Sequence, residues 1–223
     1  MLDDVRLTIR RHRLLPDDAR VLVAVSGGLD SMVLLHVLRK LWHRCEVMHI
    51  DHGLRGTDSD ADRRFVEEHC REQGIPCHVR AVDVRALASR QGVSVQMAAR
   101  ELRYEALKEV ASATGIEHIA LAHHQDDAIE TFFLELMRGG TGTIPARSGP
   151  FVRPLIGVER AAIEAYAMEQ GLAWREDASN ADPKYLRNRV RNELLPLLED
   201  LAPGVRKVLG RSIDRSRALQ AVA

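Results

Sequence analysis

Ser26-Gly27-Gly28-Leu29-Asp30-Ser31 is the stretch whose reading decides the fold. An apolar run, Val21 to Val25, precedes it, and an amphipathic run, Met32 to Leu41, follows. The pattern predicts a β-strand that ends in a turn of small residues and passes at once into a helix. Gly27 and Gly28 let the backbone turn tightly and approach a ligand closely. Backbone N–H groups and the positive end of the helix then converge on one spot, which is an anion site. Ser26 and Ser31 add hydroxyl donors, and Asp30 places a carboxylate where a phosphate-bound Mg²⁺ would sit. The stretch reads as a pyrophosphate-binding loop, for which cleavage of ATP to AMP and pyrophosphate is the expected chemistry. A tight turn or a bare helix cap is the plainer reading, and the flanking strand and helix weigh against it. Neither G-x-x-x-x-G-K-[ST] nor a G-x-G-x-x-G after a strand occurs, which argues against a Walker-type transferase and a dinucleotide fold.

Working outward, apolar β-rich runs alternate with helical patterns. Strands are expected at Glu46–Ile50, His78–Val82 and Ile119–Ala122, with a further short one at Val152–Ile156. Helices are expected at about 59–73, 94–114 and 126–138, and at Glu159–Gln170, which Gly171 ends. The alternation predicts an α/β fold with a parallel sheet and helices on both faces. Ligands of such sheets bind at the carboxyl ends of the strands, near the switch in strand order. The Ser26–Ser31 loop, Asp51-His52 and His123-His124 all fall at such ends. Residues 139–150, rich in small side chains, are either a lid over the site or a surface loop. Pro183 to Ala223 reads as a short helical extension of two helices, dividing the chain into 1–182 and 183–223.

Composition bounds the rest. The 223 residues carry 32 basic and 32 acidic side chains, so the chain lacks the overall basic signature of a nucleic-acid binder. Its C-terminal stretch is locally basic: Lys184, Arg187, Arg189, Arg191, Arg206, Lys207, Arg211, Arg215 and Arg217 stand against five acidic residues from Ala181 onward. That run is either a solvated helical face or weak support for an RNA partner. Cys45, Cys70 and Cys77 form no C-x-x-C pair, which argues against a zinc ribbon or a cysteine-held cluster and fits packing roles in a reducing compartment. No apolar run reaches membrane length and Met1-Leu2-Asp3-Asp4 is unlike a signal peptide, so no membrane partner and a cytoplasmic location are expected.

Further chemistry is concentrated in three places. In Ala122-His123-His124-Gln125-Asp126-Asp127-Ala128-Ile129-Glu130-Thr131, Asp127 and Glu130 share a helical face and suit either Mg²⁺ or the ammonium of an amine substrate. His123 suits proton transfer or phosphate binding. A transition-metal site would need more ligands than Asp51-His52 can add. In Asp51-His52-Gly53-Leu54-Arg55-Gly56 the turn lies against a nucleotide and Arg55 reaches a phosphate. Arg100 and Arg103, three apart on the long helix, hold phosphate or carboxylate oxygens or make surface salt bridges.

In order, the motifs are S-G-G-L-D-S, D-H-G-L-R, A-R-x-x-R-Y, A-H-H-x-D-D-x-x-E-T and R-G-G-T-G. Arg153-Pro154-Leu155 and Trp174-x-x-Asp177-x-Ser179-Asn180…Tyr185-x-Arg187-Asn188 follow. Together, from about Arg20 to Pro196, the chain resembles the catalytic domain of the tRNA(Ile)-lysidine synthetase family, N-type ATP pyrophosphatases of the PP-loop type. The resemblance implies a HUP-like fold, of the adenine nucleotide alpha hydrolase type. It implies ATP and Mg²⁺ as cofactors and tRNA(Ile) and free L-lysine as substrates, with a homodimer left open. ATP would adenylate the C2 oxygen of the wobble cytidine, and the lysine ε-amine would then displace AMP. Carried over, Ser26, Gly27, Gly28, Leu29, Asp30, Ser31, Asp51 and His52 would bind the nucleotide. Asp30, Arg100, Arg103, His123 and Asp127 would serve the chemistry, Asp30 and Asp127 the metal, and Asp127 and Glu130 the lysine. A thiolase-like relative or a non-catalytic ATP- or RNA-binding module are the alternatives. Family members usually carry further C-terminal domains that grip the tRNA, and this sequence stops soon after the motifs.

Overall fold

The computed structural model describes residues 1–41, 43–54, 56–176 and 186–220. Strand β1 (Arg20–Ala24) leads into helix α2 (Leu29–Lys40), after an opening helix α1 (Leu2–Arg11). Then come β2 (Arg44–Asp51), α3 (Thr57–Glu72), β3 (Cys77–Ala81), α4 (Val84–Gln91), α5 (Val95–Thr114), β4 (His118–Ala120) and α6 (Gln125–Leu136). A short hairpin, β5 (Arg147–Ser148) and β6 (Phe151–Val152), precedes α7 (Arg160–Glu169). The last described segment runs α8 (Leu186–Arg189), a π-helical turn (Val190–Leu194), α9 (Leu195–Leu201) and α10 (Val205–Gln220).

The strands form one sheet in the order β3-β2-β1-β4-β6-β5. All pairings are parallel except β5 with β6, so the expected parallel sheet carries one antiparallel edge. Side chains of β1 alternate: Val21, Val23 and Val25 join the core that holds α2 and α7, whereas Leu22 joins Met48, Ile119 and the α5 residues Leu107 and Val110. Both faces of the central strand are thereby buried, which is why its sequence reads as a continuous apolar run. The chain adds β2 and β3 on one side of β1 and β4 on the other. The switch in strand order therefore falls between β1 and β4, at whose carboxyl ends such sheets form their ligand crevice.

Several elements differ from the sequence expectation. Helix α1 buries Val5 and Ile9, a single i, i+4 pair too sparse to stand out as a stripe. Helix α4 is short, capped by the Asp83 carboxylate accepting from the Ala86 N–H at 2.9 Å and closed by Gly92 in the left-handed conformation. The strand expected over 152–156 stops at Val152, because Pro154 has no N–H to continue the ladder. The loop expected as a lid or a surface loop is mostly exposed, and its second half is pinned. Thr143 donates to the Ala128 carbonyl at 3.2 Å, and the Ile144, Pro145 and Ala146 carbonyls accept from Arg217, Arg153 and the Arg153 N–H. The boundary expected at 182/183 lies outside the described residues. Beyond it, Val190, Leu195 and Ile213 enter the same core as β1 and α2, so the C-terminal helices pack into the main core.

Candidate active site

Local chemistry explains the shape of the Ser26–Ser31 loop. Gly27 has φ +91°, a conformation that side-chain-bearing residues rarely adopt, and Gly28 caps α2 without a side chain of its own. The loop holds itself: Ser31 Oγ donates to the Gly28 carbonyl at 2.9 Å and accepts from the Ser26 N–H at 3.2 Å. Ser26 Oγ accepts from the Gly28 N–H at 3.3 Å. The chain returns after α7 to fasten the loop from outside, with the Arg175 N–H donating to the Gly27 carbonyl at 2.9 Å. Leu29 is buried and anchors the turn to the core, while the Ser31 and Met32 N–H groups donate to the Gly28 carbonyl and those of Leu29 and Asp30 precede the first helical acceptor.

Asp30 stands in the first turn of α2. Its Oδ2 lies 3.8 Å from His124 Nε2 and 3.7 Å from an Arg160 nitrogen, both beyond hydrogen-bond length. Its Oδ1 is buried with no hydrogen-bond partner. Burial accordingly raises the Asp30 pKa, against the pull of His124 and Arg160. A buried anionic oxygen without a donor is costly unless a ligand completes it. Among the described residues no group of three or more His, Cys, Asp or Glu side chains surrounds a cation position. One carboxylate with an open oxygen is the donor set Mg²⁺ accepts when phosphates and water supply the rest.

His124, expected at a ligand-binding strand end but given no role there, sits at the centre of the acidic residues. Its side chain is 2% exposed, with Nε2 3.4 Å from Asp127 Oδ2 and Nδ1 3.8 Å from Asp126 Oδ2. Its own N–H donates to Asp127 Oδ2 at 3.0 Å, so Asp127 also closes the N-terminus of α6. Asp126 holds α7 by accepting the Arg160 N–H at 2.8 Å and binds Arg206 of α10 at 2.7 Å. The spacing His-His-x-Asp-Asp signals a charged cluster, but only the orientation of the strand end selects which histidine meets Asp30.

Asp127 and Glu130 do share a face, as expected, and the face is covered. Arg187 donates to Asp127 Oδ1 at 2.8 Å and to Glu130 Oε2 at 2.7 Å. Arg191 donates to both Glu130 oxygens, at 2.6 and 3.1 Å. Glu130 is completely buried and Asp127 is 14% exposed. Burial works to raise the Asp127 pKa, but His124, Arg187 and His123 outweigh it and hold it below the usual carboxylate range. Both carboxylates, expected to meet a lysine ammonium or a metal, meet guanidinium groups of this chain. Arg187 was legible as a motif residue and Arg191 as part of a basic run, but their pairing was not, since their partners lie 57 to 61 positions away.

Within electrostatic reach of Arg187 lies a further cluster of cations. Arg100 and Arg103 both stack on the Tyr104 ring, 5.0 and 5.6 Å from its centroid, and Arg103 Nε is buried without a partner. Desolvation lowers the Arg103 pKa, with Arg100, Arg187 and Arg153 adding to the effect. Arg153 is 4% exposed and donates Nε–H to His123 Nδ1 at 3.3 Å. Burial, then the neighbouring cations, push the His123 pKa down to about 3. Asp51 makes a local turn, its Oδ1 accepting the Gly53 N–H at 2.9 Å. With His52, Val82 and Arg85 it lines a cleft of about 390 Å³ beside the crevice. Arg55, Asp177, Ser179, Asn180 and Tyr185, singled out in the sequence, lie outside the described residues.

An anion-binding turn at the switch of a mostly parallel sheet, with a carboxylate in the first turn of its helix, defines a class of nucleotide-binding protein. The PP-loop domain family matches residues 5–198, and the chain belongs to that family. Its relatives are more particular. The chain is 41% identical to a tRNA(Ile)-lysidine synthase of Porphyromonas gingivalis over 223 residues, covering 97% of this chain and 49% of that protein. It is 37% identical to one of Bacillus subtilis over 217 residues, covering 92% of this chain and 46% of that protein. The chain thus spans about half the length of the curated relatives it matches. Among solved structures, the U34-tRNA thiolase NcsA of Methanococcus maripaludis superposes with a TM-score of 0.78 at 17% identity, covering 97% of this chain and 78% of that one. The NH3-dependent NAD synthetase of Campylobacter jejuni superposes at 0.58 and 12%, covering 98% and 92%. At such identities the structures establish the fold alone.

Proposed function

We propose that this chain is the ATP-using part of a ligase that joins lysine to C2 of the wobble cytidine of a tRNA(Ile), releasing AMP and pyrophosphate. The observation that carries the proposal is the buried, unpartnered Asp30 Oδ1 beside a self-supporting anion loop, in a chain about 40% identical to lysidine synthases. The amide-like oxygen of cytosine is a poor leaving group until AMP is attached to it. The N–H groups at the start of α2 would bind phosphate oxygens, the hydroxyls of Ser26 and Ser31 would join them on releasing their bonds within the loop, and Asp51 and His52 would serve the nucleoside. The cytidine O2 attacks the α-phosphorus and pyrophosphate leaves; the lysine amine then attacks C2 and AMP leaves. Mg²⁺ held by Asp30 would offset charge on the departing pyrophosphate. Arg100, Arg103 and His123 face that charge from the other side. Asp127 is the carboxylate we assign to draw the lysine ammonium and to border the metal. Glu130 serves it by fixing Arg187 and Arg191, and contacts lysine directly only if those guanidinium groups leave.

The cysteines speak against the thiolase alternative: Cys45 and Cys77 lie at the starts of β2 and β3 and Cys70 in the last turn of α3, at the amino ends of the strands and so away from their carboxyl ends. No described helix is long and apolar enough to cross a membrane. A cytoplasmic setting suits a tRNA substrate, and a homodimer remains part of the proposal to be measured by sedimentation. ATP–pyrophosphate exchange with the purified chain and tRNA(Ile), with and without lysine, tests the reading. Lysine-independent exchange that requires the tRNA is expected; ADP as the product would overturn it.

A further inference from the structure

His123 was expected either to move a proton or to bind a phosphate, and its surroundings choose between these roles. Arg153, just past β6, is held on three sides. Its N–H donates to the Ala146 carbonyl at 2.9 Å, one terminal nitrogen donates to the Pro145 carbonyl at 2.9 Å, and Nε–H donates to His123 Nδ1 at 3.3 Å. A guanidinium has donors and no acceptor. Nδ1 must therefore present its lone pair, because a proton there would set two N–H groups against each other. The ring's remaining proton then sits on Nε2, for which no acceptor is found among the described residues.

We infer that Arg153 is a positioning residue that fixes His123 as the neutral Nε2–H tautomer, so that His123 serves the crevice as a hydrogen-bond donor to a phosphate oxygen and not as a general acid or base. The inference about the ligand rests on the nucleotide reading above; the tautomer rests on geometry alone.

Most of what packs around the ring opposes a charge on it. Asp127 of α6 favours a charged ring, whereas Arg153 beyond β6, Arg103 of α5, Arg187 of α8 and burial all oppose it. Three cations face one carboxylate that Arg187 already pairs. Such a cluster lacks an anion, and Arg103 Nε, buried and unpartnered, points to the same deficit. A neutral N–H adds a donor there without adding a fourth charge. As a general base the ring would have to release Arg153 first, since Nδ1 is taken and Nε2 already carries its proton. The logic is that of a histidine whose other nitrogen sets its tautomer.

The test is long-range proton–nitrogen correlation NMR on the full chain with ¹⁵N-labelled histidine, the His123 signals being assigned from their absence in His123→Gln. A single Nε2–H form that does not titrate between about pH 5 and 8 is expected. An Nδ1–H form, a mixture, or titration in that range would overturn the inference. In Arg153→Gln the ring should become a tautomer mixture or begin to titrate in that range; an unchanged spectrum would remove Arg153 from the role. Should Arg153→Gln not fold, Arg153→Lys, which keeps the charge and loses the in-plane Nε–H, gives the same two outcomes. The wild-type spectrum decides the tautomer whichever variant folds. Failed ATP–pyrophosphate exchange would remove the nucleotide reading and leave the tautomer result standing.

Discussion

Asp30 stands in the first turn of α2 and Glu130 on α6, and Arg191 lies within electrostatic reach of both. The protein treats them in opposite ways. Glu130 is wholly buried, and two arginines occupy both of its oxygens at 2.6 to 3.1 Å. Asp30 has only contacts beyond hydrogen-bond length, and one of its oxygens is buried with no partner. Burying a fully bridged carboxylate closes a charge balance within the protein, so it fixes structure. Burying an unbridged one leaves a balance that only something from outside can close. The difference separates the carboxylate that builds the crevice from the one that serves its ligand.

The largest effect should follow from breaking the closed balance. Glu130→Gln leaves Arg187 and Arg191, 38% and 27% exposed, short of charge beside a wholly buried amide, which costs about 3 kcal/mol, the low end for a broken buried pair. At about 2–4 °C per kcal/mol for a chain of this size, the thermal midpoint should drop by roughly 10 °C. A stable Glu130→Gln protein that forms the tRNA adenylate normally and loses only lysine incorporation would reverse the comparison and give Glu130 a direct substrate contact. Asp30→Asn should do the opposite: pyrophosphate release falls about 10²–10³-fold, as for loss of one key electrostatic contact. Calorimetry should find the fold unharmed or slightly firmer, since the charge it removes is desolvated and poorly paired. Full turnover by Asp30→Asn would end its assignment to the metal.

Acid should probe the cation cluster. A histidine whose folded pKa is depressed binds its proton first in the unfolded chain, so stability is complete above the unfolded value near 6.5 and declines as pH falls toward 3. The raised Asp30 acts the other way over its own window, gaining stability as pH falls through its folded pKa. Urea midpoints measured from pH 7 to 4 should therefore decline less for His123→Gln than for the wild type, and parallel curves would argue against a buried neutral ring. A smaller loss is expected for Gly27→Ala. The φ of +91° costs a Cβ-bearing residue about 1–3 kcal/mol, while the new methyl would only touch Phe65 and Val66 at 3.4 Å. ATP should bind more weakly to that variant, and unaltered ATP affinity would mean that the turn is not in the phosphate path. The smallest effect belongs to the solvent-exposed Arg189–Glu193 pair, 56% exposed on each side, where Arg189→Ala should leave the thermal midpoint and exchange rate unmoved. A clear loss of exchange there would show that α8 presents a working face to the tRNA.

What could be read from the linear chain followed from contacts close in sequence. Two glycines, two serines and an aspartate within six residues specify a turn, a helix start and an anion site, because the side-chain bonds made inside that loop span five positions or fewer. The alternation of apolar strands with helices fixed the layers, since a strand buried on both faces must read as an apolar run. Strand order, the identity of the histidine beside Asp30, and the pairing of Glu130 with Arg187 and Arg191 were decided only by the tertiary fold. Those outcomes depend on which strand ends become neighbours and on partners some sixty residues apart, and charge attracts charge without any periodicity that a sequence could display. The same chain therefore announced its anion loop locally and left its charge balance to be settled by packing.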